Sequence, residues 1–110
     1  TVTGVCPHMH VRGKWMKYWL HRASGERELI FSQPFYRFKW QTCFIFKGWT
    51  VARPGDTLVF EGGFDNSALN PDNPDPKAYV FKGERASDEM MLPFISFVEG
   101  ELPPEKEMAQ

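Results

Sequence analysis

Tyr36-Arg37-Phe38-Lys39-Trp40-Gln41-Thr42-Cys43-Phe44-Ile45-Phe46 is the stretch that decides the fold class. Aromatic residues at 36, 38, 40, 44 and 46 alternate with Arg37, Lys39, Gln41, Cys43 and Ile45. Period two is the repeat of a strand, so the pattern predicts one long strand over 36–46 with a buried face and a mostly polar face. Working outward, residues 14–22 read as a strand with large side chains on both faces, and 23–26 as a turn into a strand near 27–32. Arg53-Pro54-Gly55-Asp56 places Pro and Gly as a type II turn wants them. Thr57 to Phe60 opens the next strand, and Gly62-Gly63 predicts a bulge or a close backbone approach. A short strand at 79–81 and a last one over 90–98 complete the reading. Seven or eight strands and no helical stripe predict an all-β domain, an antiparallel β-sandwich or jelly roll, over residues 1–99. Residues 100–110, with Pro103-Pro104, read as a polar tail or linker stub.

Composition narrows the function classes. A formal net charge of −1 with scattered Lys and Arg supplies no basic stripe for nucleic acid. No apolar run is long enough for a membrane-spanning helix. Residues 1–10 lack a basic-then-apolar leader pattern, so the chain is expected to be a mature or excised piece of a longer one. The two cysteines, Cys6 and Cys43, permit one bridge, two free thiols or a metal contact. The loop at 65–77 is crowded with Asn, Asp and Pro, which Asx-turns explain and calcium binding is the alternative to.

Chemistry concentrates at Pro7-His8-Met9-His10. On a strand, side chains at i and i+2 share a face, so His8 and His10 present two imidazoles together. The plain alternative is two strand histidines without a ligand. Met90, in Ser87-Asp88-Glu89-Met90-Met91, reads either as a core residue at a strand entrance or as a third ligand. Two imidazoles and a thioether make a poor zinc site and a good copper site, Cu(I) above all. Cys6 shares the face of His8 and His10 on a regular strand, which adds a candidate thiolate contact, although Pro7 suggests an edge or an irregularity there.

The order of these motifs resembles a known family. Residues 7–14 (P-H-M-H-V-R-G-K), Trp40-Gln41 within 36–46, Pro54-Gly55-Asp56 and Ser87-Asp88-Glu89-Met90 recur in the type II copper, ascorbate-dependent monooxygenases, which include the peptidylglycine α-hydroxylating and dopamine β-monooxygenases. The chain resembles the C-terminal domain of their catalytic core over about residues 5–99. It is most similar to bacterial versions, which share Phe64-Asp65-Asn66-Ser67 and the Pro-rich loop after it. The resemblance implies one copper held by His8, His10 and Met90, dioxygen as co-substrate, and hydroxylation of a substrate C–H bond. It also implies ascorbate or a redox partner domain as electron donor, and a periplasmic or secreted location.

Departures from the family shape the expectation. The second, electron-transfer copper of the family sits in a preceding domain, and His21 is the only other histidine here. Electrons must therefore come from a neighbouring domain or protein. The animal enzymes have a disulfide from the residue after the ligand Met; here that residue is Met91. The peptide-amidating enzymes clamp a carboxylate with Arg, Asn and Tyr where this chain has Cys6, Leu92 and Phe94. Leu92 and Phe94 become candidate pocket residues for a small or apolar substrate instead of a peptidylglycine. Two rival readings stand beside hydroxylation. One is a non-catalytic copper domain for storage, delivery or redox sensing. The other is a metal-free ligand-binding sandwich, for which Trp15, Trp19, Trp40 and Trp49 would supply a stacking platform.

Overall fold

The computed structural model describes residues 1–102. Six strands form in the order β1 (Val2–Met9), β2 (Gly13–His21), β3 (Arg27–Gln33), β4 (Phe44–Thr50), β5 (Thr57–Phe64) and β6 (Met91–Phe97). They make two three-stranded antiparallel sheets, β4-β1-β6 and β3-β2-β5, which pack as a β-sandwich. β1 and β2 are the central strands. Their inward residues Val5, Met9, Met16 and Tyr18 form the core with Tyr36, and Phe31, Phe44, Phe46, Phe60 and Ile95 pack around it. The Tyr18 ring meets Phe31 and Phe60 edge to face. Its hydroxyl crosses to the other sheet and donates to the Phe94 carbonyl at 3.0 Å.

Most predicted strands and turns are present. Arg53-Pro54-Gly55-Asp56 closes with Asp56 N–H donating to Arg53 C=O at 2.9 Å, and Gly55 takes φ 92°, the left-handed value that position requires. Gly62 and Gly63 mark a close approach: a Cβ on Gly62 would strike the Met91 sulfur, and one on Gly63 would strike the Trp15 indole. The 65–77 loop is shaped by Asx-turns, in which Asp65, Asn70, Asn73 and Asp75 each accept from the backbone N–H two residues on. Buried Arg12 fastens this loop to the 83–89 segment by donating to Asn73 Oδ1, Ser87 C=O and Asp75 C=O.

Two expectations fail. Residues 36–46 are not one strand. Phe38–Trp40 is a 3-10 turn, closed by Trp40 N–H to Arg37 C=O, and only Phe44 onward joins a sheet. Residues 79–81 form no strand; an isolated bridge, Lys82 to Glu89, is what pairs there. Loss of the 79–81 strand brings the expected number down to six among the described residues, while the 36–46 strand is displaced to β4 and not lost. Pro7 meets its expectation of an edge: β4 pairs with β1 only as far as Val5, so the Pro7 nitrogen faces the unpaired side of β1, while on the other side Pro7 opposes Pro93 of β6 at a position where no N–H need be exchanged. Of the expected tail, Pro103-Pro104 and the residues after them lie outside the described residues.

The reason for the break in 36–46 is Tyr36. β4 pairs with β1 only from Val2 to Val5, so the outer edge of β1 loses its partner before Met9. The Tyr36 hydroxyl replaces the missing strand there. It accepts from Met9 N–H at 3.0 Å and donates to Met9 C=O at 2.7 Å, with both groups buried. Residues 36–43 then form an arch over the end of β1, closed at its far side by the Cys6–Cys43 disulfide.

Two predictions follow from this packing. Tyr36→Phe leaves a buried N–H and C=O unsatisfied and is expected to cost about 2–4 kcal/mol in urea unfolding. Asp56 accepts from the Arg53 and Ala23 amides and pairs with Arg22, so its carboxyl lies below the ordinary range. Its contribution is complete above the unfolded-chain pKa and disappears as pH falls through the lower folded value. Asp56→Asn is therefore expected to lower stability at neutral pH and to flatten the loss seen on acidification below about pH 4.

Candidate metal centre

His8 is the penultimate residue of β1 and His10 follows the strand's end at Met9, and alternation carries both side chains to the outer face of the β4-β1-β6 sheet. The two rings lie 5.3 Å apart between centroids, edge to face. His8 is half-buried and His10 is buried. The pair expected from the sequence is thus assembled.

Each imidazole is oriented through Nδ1. His8 Nδ1 lies 2.6 Å from Gln41 Oε1. The Gln41 amide nitrogen donates to Phe38 C=O at 3.1 Å, which fixes Oε1 as the atom facing His8. His10 Nδ1 lies 3.1 Å from the Asp88 carbonyl oxygen. Both partners are acceptors, so each Nδ1 carries the proton and each Nε2 keeps its lone pair. Among the described residues neither Nε2 has a hydrogen-bond partner. That is how a metal-ligating histidine is held.

The residues 85–90 have a physical reason for their order. Asp88 N–H donates to Arg85 C=O, while the Asp88 carboxylate accepts from the Arg85 N–H and guanidinium. These bonds, the backbone one foremost, hold the Asp88 carboxyl below the ordinary range. The small turn so formed presents the Asp88 carbonyl to His10. Met90 comes next, and its carbonyl accepts from His10 N–H at 3.2 Å. The pairings Met9 with Met91 and His8 with Leu92 place Met90 across from His10, and opposed residues of an antiparallel ladder share a face.

Cys6 is not a thiolate ligand. It sits on the same outer face, but its sulfur is bonded to Cys43, with the two Cα atoms 4.2 Å apart. The bridge leaves neither sulfur as a free thiol, and among the described residues no free thiol exists. Among the described residues, no group of three or more His, Cys, Asp or Glu gathers at one point. What the structure brings together on this face is the pair of imidazoles, with Met90 joined to His10 through its backbone carbonyl.

Apolar surface surrounds the pair. A shallow pocket of about 150 Å³ beside His8 is lined by Pro7, Phe94, Gln41 and the disulfide. A cleft of about 530 Å³ beside Met90 is lined by Phe64, Val80, Phe81 and Leu92. Leu92 and Phe94, singled out in the sequence, thus face these spaces, and both are partly exposed. A cleft of about 540 Å³ lies at the opposite end of β1, among Val51, Ala52, Leu58 and Phe97, far from the histidines. The tryptophans make no common platform: Trp15 and Trp19 lie on β2, while Trp40 stands on the 3-10 turn.

Gln41 and Tyr36 acquire roles that sequence reasoning did not assign. The trace was present, because polar Gln41 and Thr42 interrupt the aromatic alternation just before Cys43.

Comparisons with curated proteins and with solved structures give no match. A family model, copper type II ascorbate-dependent monooxygenase, C-terminal domain, matches residues 1–108. The match spans nearly the whole chain, and the protein belongs to that family.

Proposed function

We propose that this domain binds a single copper ion through Nε2 of His8 and Nε2 of His10, with the Met90 thioether as third donor. The observation that carries the reading is the paired Nδ1 contacts, Gln41 Oε1 on one ring and the Asp88 carbonyl on the other. Family membership supports copper as the metal. Copper binding, for storage, delivery or redox sensing, needs nothing beyond these residues.

Hydroxylation of a C–H bond is the second reading, and family membership together with the apolar clefts favours it. Bound copper would supply one-electron chemistry and an open position for dioxygen. The chain's own part is to keep protons on the two Nδ1 atoms, to hold the rings in place and to offer an apolar substrate the exposed side chains of Leu92, Phe94 and Phe81. The absence of a charged clamp at Cys6, Leu92 and Phe94 suits an uncharged, apolar substrate. Ascorbate or an electron-donating domain would supply the electrons. The Cys6–Cys43 bridge suits an oxidising, extracytoplasmic compartment.

Titration with Cu(I) against a chromophoric chelator is expected to show one equivalent bound. His8→Ala and His10→Ala should abolish tight binding. Met90→Ile should weaken it by roughly tenfold or more while thermal unfolding stays unchanged. An unaltered Cu(I) affinity in Met90→Ile would remove the thioether from the site. For the second reading, ascorbate and dioxygen should give hydroxylated product from apolar substrates once an electron-donating domain is supplied. Peroxide alone, across such a panel, would leave the copper-binding reading without the enzymatic one.

A further inference from the structure

The arch of residues 36–43 touches both imidazoles. The Phe38 ring stands edge-on to His10, 6.2 Å between centroids, and Gln41 holds His8. One foot of the arch is the buried Tyr36 hydroxyl on Met9, which lies between the two histidines. The other foot is the disulfide. Cys6 is two residues before His8, and Cys43 is two residues after Gln41. The covalent bond and the Gln41–His8 hydrogen bond are therefore adjacent rungs between the same two segments. Gln41, Thr42 and Cys43 are all exposed and belong to no strand; sheet pairing with β1 starts only at the next residue, Phe44 against Val5, so the disulfide is the link to β1 that lies nearest Gln41.

We infer that Gln41 is a positioning residue for His8 and that the Cys6–Cys43 disulfide is its tether, which makes the metal affinity of the site depend on the redox state of this bond. The inference rests on the copper-binding reading. The reductant is a dithiol: its two thiols become a disulfide, and two electrons and two protons convert the Cys6–Cys43 bond into two thiols. Loss of the tether frees residues 41–43 to leave β1. A neutral amide on an untethered, solvent-exposed segment competes with water for the imidazole N–H. His8 then loses its fixed tautomer, whereas His10, held by the Asp88 carbonyl, keeps its own. The exposed position of Cys43 leaves the bond open to attack by such a thiol.

The test uses the metal-free protein and Cu(I) alone. Nitrogen-15 NMR of the imidazoles reads the tautomers of His8 and His10 in the oxidised wild type, in Cys6→Ala/Cys43→Ala, which offers copper no thiol, and in Gln41→Leu, which keeps the disulfide. The expected result is a single Nδ1–H tautomer for His8 in the wild type and a mixture in both variants, with His10 unchanged in all three. Cu(I) affinity should fall by roughly tenfold or more in each variant. Combining the variants should cost little more than either one, because both remove the same restraint. Gln41→Glu, which retains an acceptor, should restore the His8 tautomer. A wild-type tautomer for His8 in Gln41→Leu, or fully additive losses, would overturn the inference. Should the cysteine variant fail to fold, Gln41→Leu and Gln41→Glu still decide the positioning role, and dithiothreitol treatment of the wild type decides the tether through the tautomer. Failure of the wild type to bind Cu(I) would remove the copper reading, and the NMR arm would still report whether the tether sets His8.

Discussion

A single hydroxyl holds the geometry of the histidine end of this sandwich. Where β4 ends, the central strand β1 would present an unpaired N–H and C=O at Met9 to an apolar core. Tyr36 satisfies both with one oxygen. Burial pushes the phenol's pKa up, so it keeps its proton and remains both donor and acceptor. With Met9 fixed, the residues on either side of it, His8 and His10, are fixed to the opposite face. The functional surface is thus the outward side of a backbone whose inward side is core.

The two imidazoles are supported by parts of the chain that are not strands. Gln41 belongs to the arch, and the Asp88 carbonyl to a turn stiffened by its own carboxylate. Strands set the spacing of the rings, and loops set their rotation and tautomer. Gly62 belongs to the same design: the Met9 and Met91 side chains lie against its bare Cα, and a side chain there would push apart the layer beneath the histidines.

Strand periodicity and turn chemistry were legible because they are local. The 14–22 strand, the Pro54-Gly55 turn, the Gly62-Gly63 approach and the shared face of His8 and His10 are all present. The 36–46 stretch misled because period two describes which side chains turn inward and leaves open whether a neighbour lies alongside. Tyr36, Phe38, Phe44 and Phe46 do turn to the core, but an arch achieves this as well as a strand does. Pro7 was a true signal of an edge, since β4 leaves β1 after Val5, but its partner Pro93 is too far away in sequence to be read. The Gln41–His8 contact is long-range in the same way and depends on where the disulfide closes.

β1 lies between β4 and β6, and β6 is the last strand among the described residues. His8 and His10 therefore emerge first and wait for partners about eighty residues away: the amide of His10 for Met90, and its ring for Asp88. Contacts of such long sequence separation carry a large loop-closure cost and form late. A nascent chain with both histidines and the arch in place still lacks the two carbonyls that hold His10. His10 is oriented only when the segment leading into β6 docks, so the order of synthesis itself leaves the two imidazoles unpaired in orientation until the sandwich is closed.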